Sequence, residues 1–383
     1  MTPAANRLLA PVSLLAPLAL LAVQLGAFTV ALGVFALFLL TVGAAPLAVF
    51  SDMLSGAFGS LFSLQNSLTR AAPLMLTALC TALPARLGLV IIGNEGALLM
   101  GALAAAATSR AFAASSSPLP ALTAMLVAGA LAGAAWIALS GLLRQRRGIN
   151  ETISSLLLFY IALSLFLYLV EGPLRDPSSL NKPSTFPVPE PLMLGALPGS
   201  EVHYGLLFGL LACAAAYVLM EHTTFGFGAR VVGGNLRTAR LMGLPVSFLL
   251  IVTCALGGAA AGLAGAVEVV AVHGSANATL YARLGFSGIL VAFVARQHPL
   301  AIIPVALLLG GIQASGGVLQ RRHDLPDAAV EVFKGVLFVV ILASESYVGR
   351  ALAAARRVTV RSAASAVPAR PALASSDSIE VTP

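Results

Sequence analysis

EHTTFGFGARVVGGNLRTARLMGLP, residues 221–245, is a glycine-rich basic island in a chain that is otherwise almost continuously apolar. Gly226, Gly228, Gly233 and Gly234 loosen the approach, because glycine tolerates irregular backbone. Asn235 is placed to cap a short helix by accepting orphan N–H groups of its first turn. Leu236 to Met242 then make about two turns, and Gly243 followed by Pro245 gives a stop signal. Arg237 and Arg240 stand three apart and share one face. A basic helix of this length is a poor membrane element, and it suits contact with a cytosolic partner.

The surrounding composition decides the class. Of 383 residues, 58% are hydrophobic and 10% charged, with a mean hydropathy of +0.95. That predicts an all-α, polytopic helical membrane protein. The formal charge of +7 lies in short loops and at the C-terminus, so it reads as membrane topology and not as a nucleic-acid surface. Cys80, Cys213 and Cys254 sit unpaired in apolar runs, and the five histidines have no ligand spacing, which argues against staples and metal sites. There is no GxxxxGK[ST] loop and no Ser/His/Asp arrangement, so neither nucleotide hydrolysis nor other enzyme chemistry is expected of this chain.

Taken in order, residues 11–50 form one apolar tract, read as a tilted or kinked helix over about 15–42 that is not a cleaved leader, with two tight spans as the alternative. Residues 51–69 read as a polar outer loop. Further spans are expected near 70–86, 96–112, 119–143, 152–170, 203–221, 247–270, 284–295, 299–316 and 328–348, about ten in all. Residues 1–349 form the membrane domain, and the Ala/Ser/Arg/Pro-rich 350–383 segment reads as a disordered cytoplasmic tail. With both termini inside, fourteen basic residues fall on the cytoplasmic side against seven outside, Arg321 and Arg322 being the awkward pair.

Charges inside apolar sequence are costly and mark cavities or partners. Glu95 follows Asn94 between Gly93 and Gly96, which suggests a broken helix bordering a path for solute. The alternative is an acid at a helix start, favoured by the dipole. Glu151 is read as a cap with Asn150, offsetting Arg146 and Arg147, and Glu331 and Lys334 as a compensating pair one turn apart. Glu268 is an unexplained intramembrane carboxylate. Gly129/Gly133 and Gly258/Gly262 are GxxxG pairs suited to close helix packing.

Several stretches, in order, resemble one family. IIGNEGALLMGAL (91–103) resembles the NIGAEGQ-type signature of ABC-importer permeases for nucleosides and simple sugars. GINETISSLLLFYIA (148–162) is similar to the GVNEVISTIMLNYIA segment that follows it, and EGPLRDP (171–177) to the next outer loop. Residues 225–247, 257–274 and 285–300 continue in register. The resemblance covers about residues 45 to 345 and is to the nucleoside-type branch of the permeases that also include those for branched-chain amino acids and ribose.

It implies a bacterial inner-membrane subunit that binds no cofactor itself. Its partners would be ABC ATPase subunits that use ATP, a second related permease in a heterodimer, and an extracytoplasmic substrate-binding lipoprotein. The family's ATPase-docking loop carries over onto Arg230, Gly234, Asn235, Ala239, Arg240 and Gly243, with Arg237 beside them. The substrate-side signature carries over onto Gly93, Glu95 and Gly96. Asn94 replaces the usual Ala, Ala97 the usual Gln and Phe159 the usual Asn, while Lys334 stands where Gln is common. Those departures lie along the expected path. An ion-gradient-driven secondary transporter is the alternative function.

Overall fold

The computed structural model describes residues 23, 25–112, 117–179 and 181–344. The beginning of the first expected span, Arg7 and the 350–383 tail lie outside them. Ala31–Phe338 form one compact unit. The described residues outside that unit, 23, 25–30 and 339–344, are helical.

The helices are α1 (Leu25–Thr41), α2 (Pro46–Phe58), α3 (Leu61–Ala85), α4 (Asn94–Ala111), α5 (Pro118–Arg147), α6 (Glu151–Glu171) and α7 (Gly205–His222). They continue with α8 (Thr224–Gly234), α9 (Leu236–Leu241), α10 (Val246–Val267), α11 (Leu284–Val294), α12 (Pro299–Ala314), α13 (Gly316–His323) and α14 (328–344). No strand occurs among the described residues, only isolated bridges. Six helices there are long and apolar enough to cross a membrane, or seven if α1 and α2, bent by 117°, count as one span. Every expected span contains helix, but α4 carries Asn94, Glu95 and Arg110, and α11 is only 11 residues long.

Two expectations are corrected. Residues 51–69 are helical except at a break around Gly59 and Ser60, which caps α3 by accepting from the Ser63 N–H. Their polar side chains are satisfied within the helices: Ser55 Oγ donates to the Asp52 carbonyl and Ser67 Oγ to that of Ala57. Asp52 pairs with Arg322 and His323, which accounts for half of the awkward arginine pair. Secondly, the glycines of 226–234 lie inside α8 and do not loosen it. Gly226 and Gly233 are there for close approach, since a Cβ would stand 2.1 Å from the Met220 carbonyl oxygen and 2.2 Å from that of Arg86.

The core is a glycine seam. A Cβ on Gly133 would lie 2.3 Å from the Gly258 carbonyl oxygen, and one on Gly262 2.2 Å from that of Gly129, so α5 and α10 touch backbone to backbone. Gly101 brings α4 onto the same seam, 2.2 Å by the same measure from the Gly262 carbonyl oxygen. Such contact is how apolar helices associate in lipid, where burial of hydrocarbon offers no preference between helices. The outward faces keep Val127, Leu131, Ile153 and Leu157 exposed, as a lipid solvent allows.

α10 starts directly after α9 and continues into a π-type turn, Glu268–His273, at the opposite end of the bundle. The segment 172–204 folds over that end. The N–H groups of Thr185, Val188 and Leu194 donate to the carbonyls of Ala276, Gly274 and Val270 at 2.9, 2.7 and 2.8 Å.

Candidate functional site

Between α3 and α4 the chain is unwound over residues 86–93, and unwound backbone in apolar surroundings needs partners. Side chains supply them. The Val90 N–H donates to Glu151 Oε1 (3.3 Å), the Val90 carbonyl accepts from Thr152 Oγ1 (2.9 Å), and the Ile92 N–H donates to Ser155 Oγ (3.1 Å). Thr81 Oγ1 donates to the Ile91 carbonyl at 3.2 Å. Asn150 alone caps α6, accepting from the Thr152 and Ile153 N–H groups. Glu151 instead reaches back to the unwound strand and pairs with Arg144.

Asn94 and Glu95 are both fully buried. Asn94 Nδ2 donates to the Thr77 carbonyl (3.0 Å) and to Thr81 Oγ1 (2.8 Å). Glu95 faces the start of α11: Oε1 accepts from the Arg283 N–H at 3.1 Å and Oε2 from the Gly285 N–H at 2.5 Å. One carboxylate thus serves the first turns of two helices, its own α4 and α11, where the dipoles favour an anion. Gly285 must be glycine, since a Cβ would stand 2.3 Å from the Glu95 nitrogen. Gly93 and Gly96 lie against α6, at Ser155 and Phe159. Phe159 is 2% exposed, edge-on to Phe286 (5.2 Å) and stacked with Tyr281 (6.1 Å).

At the α9 end, Asn235 Oδ1 accepts from the Arg237 and Thr238 N–H groups at 2.9 and 3.1 Å. Gly243 has φ +72° and closes the helix in the left-handed region, with the Leu244 N–H donating to the Ala239 carbonyl. Ala239 is buried, while Arg237, Arg240, Leu241 and Met242 are exposed. Glu221, at the end of α7, holds Arg86 (3.0 Å) and Arg230 (2.5 Å). Arg86 opens the unwound segment that leads to Glu95, so α8 and that segment share a clamp.

At the far end, a cavity of about 270 Å³ is bounded by α3, the π-type turn, the start of α11 and α12. Ala282 and Leu284, either side of the backbone that Glu95 holds, form part of its wall. Glu268 also faces it.

The pattern of one transport family, the branched-chain amino acid transport system permease component, matches residues 63–343. The chain belongs to that family. A glucose ABC transporter permease protein of Haloferax volcanii, TsgB13, is 32% identical, covering 83% of this chain and 86% of the relative. The guanosine ABC transporter permease protein NupP of Bacillus subtilis is 28% identical over 85% and 93%. The nucleoside ABC transporter permease protein NupB of Lactococcus lactis is 26% identical over 80% and 86%. These similarities put the chain on the nucleoside-type branch of ABC permeases, as a transport protein and not an enzyme.

In this permease the five residues of the expected path, Gly93, Asn94, Glu95, Gly96 and Phe159, come together at one α4–α6–α11 junction. Of the residues expected to couple to an ATPase, Gly234, Asn235, Arg237, Ala239, Arg240 and Gly243 lie on or beside α9. Arg230 lies on α8 and engages Glu221 instead. Sequence reading missed Glu221, Thr152, Ser155 and the cavity around Glu268. Only GINETISS carried a signal for any of them, as four polar residues opening an apolar helix.

Proposed function

We propose that this permease is the membrane subunit of an ABC importer that moves a nucleoside, nucleobase or simple sugar inward by alternating access. About ten spans carry it across a bacterial inner membrane, both termini lying on the cytoplasmic side. It works with a second related permease as a heterodimer, and an extracytoplasmic lipoprotein delivers the solute. ATP is spent by the partner ATPase subunits, and this chain binds no cofactor. The solute path passes the Gly93–Gly96 turn and Phe159, with Glu95 acting from behind the wall by fixing the backbone at Arg283 and Gly285.

The observation that carries the reading is α9. It is a separately capped helix, anchored by buried Ala239, that presents Arg237, Arg240, Leu241 and Met242 outward. That combination of exposed basic and apolar side chains suits a protein groove better than lipid or water. The named substrates of the relatives support the solute class. The test is uptake by vesicles holding the complete transporter. Uptake stops without ATP even under a proton or sodium gradient; gradient-driven uptake in ATP-free vesicles would sink the reading in favour of a secondary transporter.

A further inference from the structure

The cavity at the far end is lined by the polar side chains of Asn66, Thr69, Arg70, Glu268, His273 and Gln313. Glu268 is 6% exposed, and the His273 Nε2 beside it stands 3.6 Å away, beyond hydrogen-bond range. Glu95, fully buried, has both oxygens filled by backbone donors; Glu268 has no such donors. Across the cavity, Gln313 Oε1 is buried with no hydrogen-bond partner. Pro73 in the same wall lacks an N–H and so interrupts the hydrogen-bond ladder of α3. The π-type turn that carries Glu268 and His273 departs from regular helix, a departure that concentrates at functional sites.

These groups together describe a ligand. Unfilled acceptors, a carboxylate and a carboxamide oxygen, call for O–H donors. Asn66, Arg70 and His273 supply donors to the oxygens that those hydroxyls carry. A single carboxylate, with Arg70 and His273 nearby, leaves no surplus negative charge for a cation. No Phe, Tyr or Trp lines the cavity, so a flat base would find only the small His273 ring to stack on. Its 270 Å³ lies just under the ~300–1,000 Å³ common for ligand clefts, enough for one ring.

We propose that this cavity seats a sugar ring through its neighbouring hydroxyls, with Glu268 and Gln313 accepting from them. The assignment rests on the reading of the chain as a nucleoside or sugar permease. Two sources offer that chemistry, a free monosaccharide and the ribosyl part of a nucleoside.

The experiment uses the complete transporter in proteoliposomes with ATP. Labelled guanosine, 2′-deoxyguanosine, glucose and 2-deoxyglucose are supplied to the wild type, to Glu268→Gln and to Gln313→Leu. The pair that the wild type carries identifies the source. Uptake of the fully hydroxylated member falls about 10-fold in Glu268→Gln, the effect of losing one charge-assisted hydrogen bond, and about 5-fold in Gln313→Leu, the effect of losing a neutral one. The deoxy member falls much less, so the ratio between them collapses. General damage to the fold lowers both members alike and leaves the ratio standing, and that result overturns the assignment, as does an unchanged ratio in both variants. A wild type that carries none of the four probes overturns the substrate reading itself. A wild type that carries a pair, with variants that do not discriminate, overturns only the cavity.

Discussion

The Gly93–Gly96 turn and the Asn235–Gly243 helix are both polar interruptions of apolar sequence, each with glycines and an asparagine. Their surroundings differ in kind. Asn94 and Glu95 are fully buried and answer backbone groups on α3 and α11. α9 buries Ala239 alone and turns its charges outward. The first interruption is held by what it satisfies inside the chain, the second by a cap and a stop that leave its surface free. Polar interruptions of apolar sequence therefore divide by whether their polar groups are answered within the chain or turned to its surface.

The largest effect is expected at Glu95. Glu95→Ala removes both acceptors and strands the buried Gly285 N–H, a cost of ~1–3 kcal/mol for that group alone. Both membrane-inserted protein and its melting temperature should fall. Glu95→Gln keeps the volume and one acceptor oxygen, so protein amount should stay near wild type while uptake drops. Wild-type uptake by Glu95→Ala would end any role for this carboxylate beyond helix-start electrostatics.

Next is Ala239→Pro. The proline deletes the Ala239 N–H bond to the Asn235 carbonyl (3.0 Å) and clashes with the preceding turn, at ~3 kcal/mol. Because α9 stands outside the glycine seam, the spans should insert and melt as in the wild type. Co-purification of the ATPase, ATP hydrolysis and uptake should be lost together. If the ATPase still co-purifies and transport is normal, α9 is not the docking element.

How much of this was legible follows the same division. Asn235, Gly243 and the shared face of Arg237 and Arg240 were readable because capping and stopping are local, and α9 obeys local rules. The α5–α10 seam was foreshadowed by its GxxxG spacing. The 51–58 helix was missed because serines that bond to their own helix look, in sequence, like serines in a loop. Glu151 was read as a cap because its partner Val90 is 61 positions away. Glu268 could be noticed but not explained, since only folding sets it opposite Gln313. Long-range satisfaction of polar groups has no periodicity to read.

A smaller effect tests whether the two regions communicate. Glu221→Gln weakens the clamp on Arg86 and Arg230, partly exposed pairs worth ~1 kcal/mol or less. Stability should change little, and the ATPase should still bind because α9 is untouched. If the clamp passes motion from α8 to the unwound segment, ATP hydrolysis should lose its dependence on solute. Solute-dependent hydrolysis at the wild-type level would show that the clamp is merely structural.

The smallest effect belongs to the Asn235 cap, and it separates helix formation from surface chemistry at α9. Asn235→Ala removes the acceptor for the Arg237 and Thr238 N–H groups, at ~1 kcal/mol. Six residues are far too few for an isolated helix to hold on propensity, so a cost of that size counts locally although it is invisible in the melting of the whole protein. ATPase affinity should weaken by up to about 5-fold with Arg237 and Arg240 still in place, ~1 kcal/mol being a factor of about 5. Asn235→Asp restores an acceptor at the same position and adds a charge suited to a helix start. It should recover the affinity that alanine loses. Equal loss from both substitutions would mean that the partner contacts the Asn235 carboxamide directly, and that the cap is incidental to docking.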